Sequence, residues 1–291
     1  MSGDGRDVDV IAFMPTPFAG GDVDLDAVRR QMEHYRDNDV TVGLLGGMGE
    51  FYAMSAGESE RLIRTSVAAI GRGGRVIAAI GFATREATAL AEVAGDAGCV
   101  SLVINPPYYV RPSPAAFAQH VRAVTEAAEL PAVVYSCKAF DVDDSYVEQL
   151  VDVPGFQGIK DEVSTAEEFA ARIDRWGPRV EFWAVGEHIG REYVRAGAVA
   201  VTSAMGNIYP DVSRRYLAAA EPDRELARLI DASIQLLATE PGTTAAVAKE
   251  MIAAVRPWPT AVRPPQADVS PQLRSAIRQL VEKIGACAHR H

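Results

Sequence analysis

The chain has 291 residues, of which 48% are hydrophobic and 23% charged, a balance typical of a soluble globular protein that can bury a sizeable core. Its formal net charge of -10 argues against general binding to nucleic acids or anionic membranes. The three cysteines are scattered and odd in number, which indicates a reducing compartment without a disulfide framework. No signal-peptide core or bilayer-spanning apolar run is evident, so we expect a cytoplasmic protein.

Eight short apolar runs recur along the chain, most of them rich in valine and isoleucine. Runs with little alternation are typical of strands that are buried on both faces of a parallel sheet. The predicted strands are Val8–Phe13, Val42–Gly46, Arg75–Ile80, Cys99–Ile104, Ala132–Ser136, Phe156–Lys160, Val180–Val185 and Val199–Ser203.

A segment with helical periodicity follows each predicted strand. These helices are Leu25–Asn38, Ala56–Ile70, Arg85–Gly98, Pro114–Ala128, Asp144–Val151, Thr165–Trp176, Glu187–Gly197 and Pro210–Ala220. Ser55 is expected to cap the second helix, with Glu58 completing a capping box. Eight such units predict an α/β fold, a closed (β/α)8 TIM barrel. An open doubly wound sheet is the alternative, but no glycine-rich fingerprint follows the first strand.

The pattern changes after about residue 221, where only helical segments follow. Three helices are predicted there, Asp223–Thr239, Thr243–Val255 and Ser270–Ala286, and a proline-rich stretch separates the last two. We therefore expect a barrel over residues 1–221 and a C-terminal extension of three helices over residues 222–291 that packs on it.

The residues that carry chemistry in such a barrel lie at the C-terminal ends of the strands. Lys160 stands at the end of the sixth predicted strand, in a chain with only four lysines. Because the pKa of a lysine amine can be lowered by its surroundings, lysine can act as a nucleophile where arginine cannot. We therefore expect Lys160 to be a catalytic residue.

Tyr135 is expected beside Lys160, because it lies near the end of the preceding strand and neighbouring strands are ~4.8 Å apart. A phenol next to an amine can carry protons while an imine forms and breaks down. A buried tyrosine that bonds to the backbone is the structural alternative.

Three further loops follow predicted strands and supply candidate substrate contacts. In Gly46–Glu50, glycines would let backbone amides approach an anion, whereas a tight turn with Glu50 as a buried hydrogen-bond partner is the alternative. In Asn105–Tyr109, a tyrosine could relay a proton or pack at a subunit interface. In Gly186–His188, Glu187 could touch substrate or complement the helix dipole.

Cys137 and Lys138, which follow the fifth predicted strand, are two further candidates for chemical roles. Lys138 is expected to be either a clamp for a carboxylate or a solvated loop lysine, and Cys137 is expected to pack as a small hydrophobe rather than act as a nucleophile. Neither metal-ligand spacing nor a nucleotide or flavin fingerprint occurs, so we expect no metal and no cofactor.

Several of these motifs occur together, in a fixed order, over nearly the whole chain. The stretches are Gly43-Leu44-Leu45-Gly46-Gly47-Met48-Gly49-Glu50, Pro107-Tyr108-Tyr109, Tyr135, Gly158-Ile159-Lys160 and Gly186. Their order and spacing resemble the dihydrodipicolinate synthase / N-acetylneuraminate lyase family of Schiff-base aldolases and lyases.

The resemblance implies roles for the candidates. Lys160 would form an imine with the keto carbon of a 2-oxo acid such as pyruvate, and Tyr135 would shuttle protons. Tyr109 aligns with a tyrosine that reaches a neighbouring subunit's site in the synthases, and the family resemblance implies a homodimer or homotetramer. The protonated imine acts as an electron sink, which supports C–C cleavage or formation and also dehydration.

Departures from the family pattern concentrate around the expected carboxylate site. Family members usually carry two hydroxyl residues where Gly47 and Met48 stand here, and those hydroxyls hold the carboxylate and assist proton transfer. The loop after Tyr135 lacks the usual Asn-Val-Pro, and Phe140 stands at the position of the synthase's substrate-binding arginine. Synthesis of dihydrodipicolinate is therefore not expected.

The stretch Gly46–Met54 is more similar to the 5-dehydro-4-deoxyglucarate dehydratase branch, which carries Gly-Gly-Thr-Gly-Glu-Phe-Phe. Lys160-Asp161 and Ser203-Ala204 also resemble that branch, although it has a threonine where Met48 stands. We expect a Schiff-base lyase on a 2-oxo acid, with dehydration as the first choice of reaction and retro-aldol release of pyruvate close behind. The expected substrate contacts are Gly47, Met48, Lys138, Phe140, Gly186, Glu187 and Ser203.

Two alternatives stay open. One is a pyruvate-dependent aldolase of a specialised pathway with an apolar acceptor, which Met48 and Phe140 would suit. The other is a family member that has lost catalysis and binds a metabolite; Met48 favours it, whereas retention of Lys160 and Tyr135 opposes it.

Overall fold

A closed barrel of eight parallel strands forms the centre of the computed structural model, which describes residues 8–107, 109–221 and 223–288. The barrel strands are β1 (Asp9–Phe13), β4 (Thr41–Leu44), β5 (Val76–Ile80), β6 (Ser101–Ile104), β7 (Ala132–Ser136), β8 (Phe156–Asp161), β9 (Glu181–Val185) and β10 (Ala200–Thr202). Consecutive strands pair in order, and β1 pairs with both β4 and β10, which closes the ring. The predicted barrel is confirmed, and the open-sheet alternative is wrong.

A short hairpin lies between β1 and β4 and was not predicted. It consists of β2 (Phe18–Ala19) and β3 (Asp22–Val23), which pair antiparallel. Gly20 and Gly21 form its two-residue turn, both with positive φ, of 60° and 90°. Such turns need two residues that tolerate this conformation, which a pair of glycines provides.

Helices surround the barrel and continue beyond it. They are α1 (Leu25–Asp37), α2 (Ala56–Ile70), α3 (Thr84–Ala97), α4 (Pro114–Ala128), α5 (Asp144–Leu150), α6 (Ala166–Trp176), α7 (Glu187–Ala196), α8 (Pro210–Ala218), α9 (Arg224–Leu237), α10 (Thr244–Ala253) and α11 (Pro271–Ala288). The capping box predicted for Ser55 and Glu58 is present at the start of α2. No helix within the described ranges is long and apolar enough to cross a membrane.

Two ionic contacts, one buried and one partly buried, join the C-terminal segment to the barrel. Lys249 on α10 pairs with Glu50 in the loop after β4, and Arg263, between α10 and α11, pairs with Glu58 at the start of α2. The C-terminal helices therefore contact the loops at the end of the barrel where the candidate residues lie. The predicted boundary at residue 221 stays a prediction.

Candidate active site

Lys160 lies near the end of β8 with its side chain turned into the barrel. The residue is 9% exposed. Its amine nitrogen lies 3.8 Å from the centre of the Tyr135 ring and 4.9 Å from the centre of the Phe13 ring. Aromatic faces attract a cation, but they cannot replace the hydration that burial removes.

This environment changes the protonation of the amine. Burial lowers the pKa of Lys160 from 10.5 to about 8, although electrostatic interactions with Glu162 and Cys137 act in the opposite direction. Burial favours the neutral form of an amine, and only the neutral form has a lone pair to attack a carbonyl. Lys160 is therefore suited to be a nucleophile near neutral pH.

Tyr135 and Lys160 are direct cross-strand neighbours. The two Cα atoms are partners in the parallel register of β7 and β8, and Ser136 is the partner of Asp161. Side chains alternate along a strand, so the side chains of Tyr135 and Lys160 project from the same face of the sheet. The predicted adjacency of the phenol and the amine is confirmed; their catalytic roles stay predictions.

Glu162 completes this group and was missed as a candidate. The hydroxyl of Tyr135 donates a hydrogen bond to Oε2 of Glu162. Burial raises the pKa of Tyr135, and the nearby charge of Glu162 adds to the increase. Glu162 lies two residues beyond Lys160, so strand alternation already predicts both side chains on one side of the chain. The sequence therefore contained a signal for Glu162.

Phe13, at the end of β1, forms another wall of the Lys160 environment and was also missed. Its ring fits against two glycines: a Cβ atom on Gly43 would come within 2.7 Å of the ring, and one on Gly46 within 3.3 Å. Real Cβ atoms do not tolerate the first of these distances. The glycines of β4 and its following loop therefore make room for an aromatic ring beside the amine.

The loop Gly46–Glu50 turns sharply where β4 ends. Leu45 and Gly46 have φ of 64° and 67°, which explains why the strand stops at Leu44 rather than at Gly46. The amides of Gly49, Glu50 and Phe51 bond to carbonyls of the same loop.

The other amides of this loop make no such bond. Within the described residues, the amides of Gly46, Gly47 and Met48 have no backbone partner. Gly47 is exposed and Met48 is partly exposed. Of the amides without a backbone partner, those of Gly47 and Met48 therefore belong to the exposed part of the loop.

Glu50 is a structural residue, as its alternative interpretation held. Its carboxylate lies 2.6 Å from the amine of Lys249 and accepts a hydrogen bond of 2.9 Å from the amide of Arg263. Both charged side chains are fully buried. Lys249 also donates to the carbonyl of Ala261, so its amine is already occupied by structural partners.

Lys138 and Phe140 lie in the loop after β7 and differ in position. Lys138 is exposed, in a turn whose ends, Cys137 and Phe140, exchange backbone hydrogen bonds of 3.0 and 2.9 Å. Phe140 is 3% exposed, and its ring packs 5.1 Å from that of Phe117 and 5.2 Å from that of Tyr146, measured between centres. Contrary to expectation, Phe140 is a packing residue between α4 and α5, because other aromatic side chains cover its ring.

Glu187 and Ser203, which were expected to contact substrate, lie buried in the wall of the barrel. They are 1% and 2% exposed. The hydroxyls of Ser203 and Ser213 donate to Oε1 of Glu187, and Ser203 in turn accepts a bond of 2.6 Å from the amide of Gly206. Burial raises the pKa of Glu187. A buried, internally satisfied network of this kind explains both residues without a ligand.

Gly186 and Tyr109 have backbone conformations that most residues avoid. Gly186 precedes α7 with φ of 84°, and a Cβ atom there would come within 2.8 Å of the His188 ring. Tyr109 has φ of 69° and is 96% exposed, so the single chain does not bring it to Lys160 or Tyr135. Tyr108, its neighbour in the motif, lies outside the described residues. No group of metal-ligating side chains occurs within the described ranges.

Comparison with known proteins gives consistent matches. The model of the dihydrodipicolinate synthetase family matches residues 7–284. A probable 5-dehydro-4-deoxyglucarate dehydratase from Azotobacter vinelandii is 26% identical over 288 residues, 95% of each chain. A 4-hydroxy-tetrahydrodipicolinate synthase from Xanthomonas campestris is 32% identical over 213 residues, 71% of this chain and 70% of its own.

A solved structure matches the fold over almost the full length. It is a prophage protein of the dihydrodipicolinic acid synthase family from E. coli, in complex with pyruvate. The TM-score is 0.87 at 22% identity, with 96% of this chain and 99% of the other covered. At this identity the likeness concerns the fold.

Proposed function

Because the chain belongs to the dihydrodipicolinate synthetase family, whose members are lyases, we propose that it is a Schiff-base-forming lyase that acts on a 2-oxo acid through Lys160. The observation that carries the proposal is the pairing of a buried amine with a phenol in direct cross-strand register. The lowered pKa of Lys160 supports it, because a nucleophilic amine must be neutral.

The chemistry follows from the positions of these two side chains. The neutral amine of Lys160 adds to C2 of the oxo acid, and the resulting hydroxyl leaves as water after it takes up a proton. Tyr135 is close enough to the amine to supply that proton. The protonated imine then accepts the electron pair that is released when a bond at C3 breaks.

Dehydration of a sugar-acid-like substrate is our first choice of reaction. The similarity to a protein named as a probable 5-dehydro-4-deoxyglucarate dehydratase, over 95% of both chains, supports it. Gly47 and Met48 would bind the carboxylate through their amides, because neither side chain offers a hydroxyl. Lys138, in the loop after β7, is an exposed cation and would attract an anionic substrate.

A pyruvate-dependent aldolase with an apolar acceptor is the second candidate. The partly exposed Met48 favours it, whereas Phe140 no longer does, because its ring is buried among helices. Turnover of aliphatic or aromatic aldehydes with pyruvate, and none of sugar acids, would favour this candidate. A binding protein without catalysis would exchange no C3 proton of any 2-oxo acid.

We also propose that two or more copies assemble, with Tyr109 at or near a subunit contact. Its ring is almost fully exposed, and Val110 beside it is 62% exposed. Large exposed apolar side chains in adjacent positions favour an interaction surface.

Reductive trapping tests the proposed function. Borohydride with pyruvate or another 2-oxo acid should attach the acid to Lys160, and peptide mapping by mass spectrometry should locate it there. A Lys160→Ala variant should lose the label, whereas Lys283→Ala, which removes an exposed lysine on α11, should keep it. Full labelling of Lys160→Ala would overturn the proposal.

A further inference from the structure

Tyr135 faces a carboxylate rather than a hydroxyl. In the loop after β4, Gly47 has no side chain and Met48 ends in a thioether, so neither position offers a side-chain hydroxyl. The hydroxyl of Tyr135 instead donates to Glu162. Any proton that passes through Tyr135 therefore has an acceptor in place.

The backbone holds Glu162 in this position. The amide of Glu162 donates a bond of 3.0 Å to the carbonyl of Ser136, which continues the pairing of β7 and β8 past Lys160. Asp161 faces the other way, where Arg172 lies 2.6 Å from its carboxylate. Asp161 also accepts bonds from the amides of Val163 and Ser164, which fixes the turn that follows.

Solvent exposure increases from Lys160 through Tyr135 to Glu162. Lys160 is buried, Tyr135 is half-buried and Glu162 is exposed. Glu162 opposes the lowering of the pKa of Lys160 by burial and adds to the raising of the pKa of Tyr135, as expected for a carboxylate close to each. Glu162 therefore connects a desolvated amine and phenol with bulk water.

We propose that Glu162 is a positioning residue for Tyr135 and the acceptor of its proton. The inference rests on the proposed function. When the imine of a 2-oxo acid loses a C3 proton, the proton moves to the oxygen of Tyr135 while the phenol's own proton moves to the carboxylate of Glu162. The C–H electron pair forms the C=C bond of the enamine, and the C=N pair moves to nitrogen. Glu162 then releases the proton to water.

Exchange of the C3 protons of pyruvate in D2O, followed by NMR, tests this role. Glu162→Gln keeps an oxygen that can accept the phenol's hydrogen bond but removes the base, and we expect exchange to fall roughly 10²-fold. Tyr135→Phe should have a similar effect, and the double variant should lose little more, because the two groups act in one step. Glu167→Gln, an exposed residue on α6, is the matched control and should leave exchange unchanged.

Chemical rescue separates proton transfer from a merely structural role. Glu162→Ala should regain part of its exchange when formate is added, whereas the double variant with Tyr135→Phe should not. Borohydride should still trap pyruvate on Lys160 in Glu162→Gln.

The outcomes distinguish this inference from the proposed function. Unchanged exchange in Glu162→Gln, or an absence of formate rescue, would overturn the role of Glu162 and leave the imine chemistry intact. If the unmodified protein traps no 2-oxo acid, the proposed function fails and the role of Glu162 fails with it.

Discussion

The surroundings of Lys160 set the pKa of its amine. Two aromatic rings and the barrel interior remove water, while Glu162 partly opposes the loss of charge. The shift in the pKa of Lys160 from 10.5 to about 8 means that the environment destabilises the charged amine, relative to the neutral one, by about 3 kcal/mol. The same carboxylate that would serve Tyr135 therefore also limits how far the amine is deprotonated.

The pH dependence of imine formation follows from this balance. Because only the neutral amine reacts, the rate should rise with pH and level off above about pH 8. Removing the charge in Glu162→Gln should lower the pKa of Lys160 further and move the midpoint to lower pH. Rapid-mixing measurements of imine formation with pyruvate, across a pH series, provide the test. A midpoint near the ordinary lysine value of 10.5 would contradict the assigned environment.

At the scale of elements, the loop after β7 turns away from the barrel axis. Cys137 and Phe140 close a tight turn, and Phe140 enters the layer between α4 and α5 with Phe117 and Tyr146. Lys138 is left at the exposed tip. The position of Phe140 could not be predicted from its residue type, because an aromatic side chain fits a substrate pocket and a layer between helices equally well.

Phe140→Ala should therefore affect stability more than chemistry. We expect a loss of about 3–5 kcal/mol in the free energy of unfolding, because the ring is buried and its removal leaves a cavity. Urea denaturation would measure that loss, and borohydride trapping on the folded variant should stay close to that of the unmodified protein. Strongly reduced trapping with unchanged stability would instead indicate that Phe140 contacts the substrate.

At the scale of the whole molecule, the barrel was predictable because buried parallel strands need continuous apolar runs, and eight of them are visible in the sequence. Strand pairing then placed Tyr135 beside Lys160 from chain order alone. Contacts between distant segments were not predictable in this way. Glu50 and Lys249 are 199 positions apart, and nothing in either local sequence points to the other.

The hydrophobic pattern of the sequence also did not predict the directions of individual side chains. Ser203 directly follows β10 and Glu187 begins α7, both at the C-terminal end of the barrel strands. Their side chains nevertheless bond to each other within the barrel wall. Tertiary packing decides which side of a turn a side chain takes. Glu162 is the exception, since the two-residue period of a strand already aligned it with Lys160.

Loss of one partner of the buried pair formed by Glu50 and Lys249 should strongly destabilise the molecule. Lys249→Met leaves a buried carboxylate uncompensated, and we expect a cost of about 3–5 kcal/mol in the free energy of unfolding. Adding Glu50→Gln should recover part of that cost, because no buried charge remains. Urea denaturation of both single variants and the double variant would measure the coupling.

An exposed ion pair provides the control for this measurement. Glu60 and Arg64 lie 2.8 Å apart on α2 with both side chains 45% exposed, so Glu60→Gln should cost only ~0–1 kcal/mol. Equal losses for the buried and the exposed pair would contradict the structural role assigned to Lys249.

Gly43 has a consequence for how this site can change over time. It contacts neither the amine nor the phenol directly, yet a single methyl group there would collide with the ring of Phe13. The same ring lies 4.9 Å from the amine of Lys160. The volume at position 43, on the strand that pairs with that of Phe13, therefore limits where a ring beside the amine can lie. A substitution at a position that carries no chemical group can therefore change the environment of Lys160 while Tyr135 and Glu162 stay the same.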